Sequence, residues 1–252
     1  MRYSVLALLF LGLMAPATIF AQTQEKTSTG EEVAIAFFKA GGVSPDFIKW
    51  AKKSKSYNTV QKAREAAYFE KETRRLNGLW QNYNPATDMI VVKTSVFIAL
   101  NMSVDEKDKA AHSMTLAFDK GAADYFPFQF QDYMIAVIPQ HLNTLMQQPL
   151  QKAQYDLMHS SFGDKTAGHG TLYLMLKAIK ADTSRPYSMD DHEQWMFVTD
   201  VAGLSLKTQQ GSPLWNYSAP WYITPTSQDV RNLFTMQERQ ERADDAAEGI
   251  IP

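Results

Sequence analysis

At Asn84-Pro85 the hydrophobic period of this 252-residue chain changes from that of a helix to that of a strand, and this change limits the possible folds more than any other feature. Upstream, Ala63, Ala66, Phe69, Thr73, Leu76, Trp80 and Tyr83 recur three or four apart, which predicts a helix from about Asn58 to Tyr83. Downstream the period is two. Over residues 89–102, Ile90, Val92, Thr94, Val96, Ile98, Leu100 and Met102 share one face and Lys93, Ser95 and Asn101 the other, the pattern of a half-buried strand. After a charged connector over 103–109, His112, Met114, Leu116 and Phe118 alternate again, so the two runs predict an antiparallel hairpin.

The same rule reads the rest of the sheet. Phe126, Phe128 and Phe130 alternate with polar neighbours, and Pro127, which has no N–H for a ladder, predicts an edge strand. Residues 133–138 are apolar on both parities, as in a fully buried strand. Leu172, Leu174, Leu176 and Ala178 alternate in 170–180, and Trp195, Phe197, Thr199 and Val201 in 193–207. Leu204 and Leu206 then change parity across Gly203, which predicts a β-bulge that keeps one face inward. A helical insert is expected at about 139–162, with Leu142, Leu145, Met146, Leu150, Ala153, Leu157 and Met158 on its apolar side.

Two further helices precede the long one. Thr29 and Glu32 have the spacing of a capping box, in which hydroxyl and carboxylate satisfy backbone N–H groups left open at a helix start, so a helix is expected over 31–40 and a stop at Gly41-Gly42. Ser44-Pro45 signals a second start, with Phe47, Trp50, Ala51 and Ser54 on one face. The expectation is an α+β fold: N-terminal helices packed on a mainly antiparallel sheet, with a helical insert and a charged C-terminal helix and tail over 226–252. A single domain should span 31–225, preceded by a flexible leader over 22–30.

The first 21 residues have another logic. Arg2 supplies a positive charge, residues 3–14 are apolar apart from Ser4, and Ala15-Pro16-Ala17 breaks the run before Ala21. That layout predicts a cleavable secretory signal over 1–21, too short to span ~30 Å of hydrocarbon as a helix. The chain contains no cysteine, which excludes a lipid-modified cysteine, a disulfide framework and thiolate-ligated zinc. Its formal charge of −2 gives no footprint for nucleic acid, and no later run is apolar enough for a transmembrane segment. The expected location is periplasmic or secreted.

Chemical motifs are sparse. Gly163 to Gly170 has the two-glycine spacing of a phosphate loop, but His169 and Gly170 stand where Lys and Ser/Thr are needed, and a glycine-stopped helix accounts for the string. His112, His141, His159, His169 and His192 form no pair three to five apart, so no metal site and no cofactor are expected; Asp190 to Glu193 reads as a solvated loop. No Gly-x-Ser-x-Gly elbow or Ser-x-x-Lys pair is present. Lys49, Lys52, Lys53, Lys55, Lys62 and Arg64 form the one basic cluster, which reads as a solvated helix face or a contact for anionic lipid or polymer. Trp215, Tyr217, Trp221 and Tyr222 are the candidate ligand-binding residues, since aromatic faces stack on sugars and anchor interfaces; the competing reading folds them over the core as a lid.

The succession Phe47, Trp50-Ala51-Lys52, Ala63-Arg64-Glu65-Ala66 and Phe126-Pro127-Phe128 resembles exported bacterial proteins grouped by a domain of unknown function, over residues 45–207. The resemblance implies one α+β unit and carries no activity, cofactor or site residue. The reading that follows is a non-catalytic binding protein of the cell envelope, its partner an envelope protein or a cell-wall component. The alternative is an envelope hydrolase without a recognisable motif.

Overall fold

A computed structural model describes residues 26–54, 57–104, 110–118, 124–189 and 192–222. The expected signal over 1–21, the start of the leader, most of the 103–109 connector, Asp190-Asp191 and the C-terminal helix over 226–252 lie outside the described residues.

The first helix, α1 (Gly30–Ala40), begins where the capping box places it. The Thr29 hydroxyl accepts from the Glu32 N–H at 3.2 Å, and the Glu32 carboxylate accepts from the Thr29 N–H at 2.7 Å. Burial of Glu32 opposes its ionisation, but the bonds from Lys26 and Thr29 outweigh it and hold the carboxyl below its ordinary pKa. Six consecutive residues, Val33 to Phe38, are buried, so this helix is enclosed on every side rather than along one stripe. Helix α2 (Phe47–Lys53) starts two places later than Ser44-Pro45 implied, because the Asp46 side chain takes the cap by accepting from the Lys49 N–H at 2.9 Å. Helix α3 (Glu65–Asn82) starts seven residues later than its periodicity implied. Short 3-10 turns at 57–59 and 62–64 occupy the interval, where Asn58, Thr59 and Val60 are weak helix formers. Only Leu76 of α3 is fully buried, so this helix forms an outer layer over α1 and α2.

The nine strands are β1 (Met89–Val104), β2 (Ala110–Phe118), β3 (Phe126–Phe130), β4 (Tyr133–Gln140), β5 (Gln147–Leu150), β6 (Ala167–Ala181), β7 (Tyr187–Met189), β8 (His192–Thr208) and β9 (Pro213–Ser218). They make one mainly antiparallel sheet in the order β3-β4-β8-β6-β1-β2-β5, with β7 and β9 also paired to β8. Helices α4 (Leu142–Leu145) and α5 (Lys152–Ser161) complete the α+β fold. The sheet is strongly curled. Phe118 at the end of β2 meets Phe126 at the start of β3 at 5.9 Å, and Ser28 bonds the open edge of β1 through Val91 at 2.9 Å. The helices fill the concave side: Phe37 of α1 packs edge-on against Phe197 and Trp195, and Trp50 of α2 against Phe130 and Tyr133.

Strand β8 organises the sheet. Strand β6 occupies one of its edges along 197–208, while the other edge is shared by β4, parallel along 195–200, and β9, antiparallel along 203–207. The parity change near Gly203 is a bulge: Leu176 pairs with Val201 and Met175 with Gly203, which leaves Ala202 without an opposite residue. Val201, Leu204 and Leu206 therefore all face inward. The helical insert is not continuous. Its middle is β5, an edge strand on β2 whose Pro149 interrupts a helix and tolerates an edge, so α4 and α5 are short and separate.

Candidate functional site

The four candidate aromatics do not share a surface. Residues 213–218 form β9, and cross-strand partners lie on one face of a sheet, so Trp215 opposite Leu206 and Tyr217 opposite Leu204 point inward with those leucines. Trp215 is 8 % exposed and belongs to the core, its ring stacked 6.3 Å from that of Tyr217. Trp221 and Tyr222 sit in the turn that follows. Trp221 is 44 % exposed with the Lys177 ammonium 5.2 Å from its ring centre. Tyr222 is half-buried, and burial raises its hydroxyl above the ordinary tyrosine pKa.

Lys177 connects Trp221 to a larger arrangement. It lies on β6 at the outward parity, together with His169, Thr171, Tyr173 and Met175. Tyr173 has Lys93 of β1 directly opposite, and its ring lies 5.7 Å from the Lys93 ammonium and 5.0 Å from that of Lys207 on β8. Phe97 of β1, 39 % exposed, meets its cross-strand partner His169 edge-on at 5.4 Å. Across the paired span of β1, β6 and β8 this outer face carries Lys93, Lys177, Lys180 and Lys207 against one carboxylate, Asp200, opposite Lys177. Cations held over aromatic faces on a rigid strand scaffold suit a ligand that offers negative charge beside a flat or apolar surface.

Sequence spacing could not reveal this cluster, because Lys93, Tyr173 and Lys207 are 80 and 34 residues apart along the chain and meet only through register. The available signal was Tyr173 itself, an aromatic side chain at the polar parity between Leu172 and Leu174.

The histidines are also redistributed. His112 of β2 and His159 of α5 flank the Tyr155 ring at 4.7 and 5.9 Å, and the His159 Nδ1 lies 3.5 Å from an Asp164 carboxylate oxygen. His192 opens β8 at the end remote from His169, as antiparallel pairing requires. Among the described residues no three His, Asp or Glu side chains gather in a way that would hold a metal ion. The glycine string between α5 and β6 is a helix stop followed by the start of β6. Gly163 adopts a left-handed φ of 66°, and the Phe162 ring fills the space where Gly168 lacks a side chain.

A shallow groove of about 670 Å³ runs between α2 and α3, lined by Ile48, Lys52, Phe69, Glu70, Thr73 and Arg74. A smaller one of about 300 Å³ lies where β3 approaches the open edge of β1 beside Ser28. Neither has a histidine in its wall, and the only carboxylate in either, Glu70, is held by Arg74 at 2.8 Å. Comparison of the chain with protein-family models, curated proteins and solved structures finds no match.

Proposed function

We propose that this chain is an exported, non-catalytic binding protein of the bacterial envelope and that the outer face of its sheet is the recognition surface. The observation that carries the reading is the placement of Lys93 and Lys207 over the one ring of Tyr173, with Lys177 over Trp221 on the same face. The ligand class that fits is a cell-wall glycan bearing carboxylates. Sugar rings stack on exposed aromatic side chains, and ammonium groups beside those rings pair with the acid groups of the polymer. Export is supported by the three-part layout of residues 1–21.

The test is sedimentation with purified peptidoglycan sacculi. The parent chain should sediment with the sacculi. The double substitution Lys93→Glu and Lys207→Glu should reduce the bound fraction severalfold at unchanged melting temperature, since exposed cation-aromatic contacts contribute ~0.5–1 kcal/mol each and charge reversal adds repulsion. Equal retention of parent and variant would remove the sheet face as the binding surface.

A further inference from the structure

The chain carries a second cationic surface, built from different residues, on the α2–α3 pair. Between Val43 and Asn82 there are nine Lys/Arg and four Asp/Glu, a local excess of five positive charges in a chain whose net charge is −2. Part of that excess is consumed internally. Arg75 binds Glu31 and Glu72 at 2.7 Å, Arg74 binds Glu70 at 2.8 Å, and Lys53 pairs with Asp132. The cations that form no ion pair among the described residues are Lys49 and Lys52 on α2, and Lys62 and Arg64 in the turn that leads into α3. All four are exposed.

Apolar groups stand among these cations. Phe47 and Trp50 take α2 into the core, but Ile48, next in sequence to Phe47, is 57 % exposed and forms one wall of the groove between α2 and α3. Phe69 also lines it, with the Lys52 ammonium 5.9 Å from its ring centre and the Tyr57 ring at 4.9 Å. Val43, five residues before Ile48, is 44 % exposed. Aliphatic tips and interfacial aromatics ringed by lysines are the combination with which a surface element enters the headgroup layer of an anionic bilayer.

We infer that the α2–α3 groove is a membrane-surface contact for anionic phospholipid, with Ile48 and Phe69 entering the headgroup layer and Lys49, Lys52, Lys62 and Arg64 meeting lipid phosphates. The exposed aliphatic side chain decides between lipid and a soluble polyanion, because Ile48 offers nothing to a fully hydrated polymer and costs exposed apolar surface when left in water. The contact is peripheral: no described helix is long and apolar enough to cross a membrane.

Partitioning of the full chain onto vesicles tests this, with residues 1–21 common to every variant. Vesicles of phosphatidylglycerol and phosphatidylcholine in equal parts should bind the parent at least about tenfold more tightly than pure phosphatidylcholine, with the preference lost at high salt. The exposed double substitution Lys49→Glu and Lys52→Glu should lower binding to the anionic vesicles by about tenfold or more. Ile48→Asn should lower it by about three- to tenfold, while binding to the soluble polyanion dextran sulfate should not depend on Ile48. A preference near one, a preference that survives the lysine substitutions, or anionic-vesicle binding indifferent to Ile48 would each overturn the inference, the last in favour of a soluble polyanion.

Discussion

Gly30 of α1 lies against the main-chain carbonyl of Gln129 on β3, so close that a β-carbon on Gly30 would overlap the carbonyl oxygen. This contact lets the enclosed helix start directly beneath an edge strand. Alanine is the better helix former by ~0.8–1 kcal/mol, yet Gly30→Ala should destabilise the protein by about 1–3 kcal/mol, because the obstacle is backbone and cannot rotate away. Gly78, near the C-terminal end of α3, is the control. Nothing lies within 4 Å of a β-carbon there, so Gly78→Ala should gain about 0.5–1 kcal/mol. Denaturant unfolding of the two variants should move their midpoints in opposite directions.

Tyr83 caps the far end of α3 with its hydroxyl buried and without a hydrogen-bond partner among the described residues. Burial, and then the nearby Asp88 carboxylate, raise its pKa above the ordinary tyrosine value, so the group stays neutral throughout the physiological range. An unsatisfied buried hydroxyl costs ~1–3 kcal/mol. Tyr83→Phe should therefore be neutral or raise stability by up to about 1 kcal/mol. A loss of more than about 1 kcal/mol on thermal unfolding would mean that the hydroxyl has a partner in solution.

What the sequence disclosed about the fold depended on local signals. The capping box at Thr29 and Glu32, the edge position of Phe126 to Phe130 and the bulge at Gly203 are each written in fewer than about six neighbouring residues, and each was readable. The parallel pairing of β4 with β8 was not, because a strand apolar on both parities states that it is buried but not which way its neighbour runs. The site was less legible still. Composition marked Trp215, Tyr217, Trp221 and Tyr222 as an aromatic group, but whether Trp215 faces the core depends on its register opposite Leu206, which no local pattern encodes. Lys93, Tyr173 and Lys207 belong to three strands and become one cluster only when β6 is placed between β1 and β8.

Asp182 ties down the connection between β6 and β7. Its carboxylate accepts from the Ser184 hydroxyl at 2.5 Å, from the Tyr187 hydroxyl at 2.5 Å and from the Ser184 N–H at 2.9 Å, and these bonds lower its pKa to about 2. A carboxyl whose pKa is depressed on folding contributes stability that is complete above the unfolded value of ~3.9 and is lost as pH falls toward 2. Ser184→Ala removes the largest contributor, so the Asp182 titration should move upward toward the ordinary carboxylate value. Carboxyl-carbon chemical shifts followed between about pH 1.5 and 6 would show the move, and an unchanged midpoint would assign the depression to Tyr187 instead.

Trp215 and Trp221 separate packing from the proposed recognition within six residues of chain. Trp215 is 8 % exposed, sits opposite Leu206 and stacks on Tyr217, so Trp215→Ala deletes a large buried side chain and should cost ~3–5 kcal/mol, with any loss of envelope binding following from loss of the folded state. Trp221 is 44 % exposed, with Lys177 over its ring, and its removal opens no comparable cavity. Trp221→Ala should change stability by less than about 1 kcal/mol while weakening retention on sacculi, the cation-aromatic contribution at an exposed site being ~0.5–1 kcal/mol. Melting temperature and sacculus binding measured on both variants give a two-by-two outcome. Destabilisation by Trp215→Ala alone, with a binding defect in the stably folded Trp221→Ala, is the expected pattern. Full retention by folded Trp221→Ala would detach Trp221 from the proposed recognition face and confine that face to Tyr173 and its lysines.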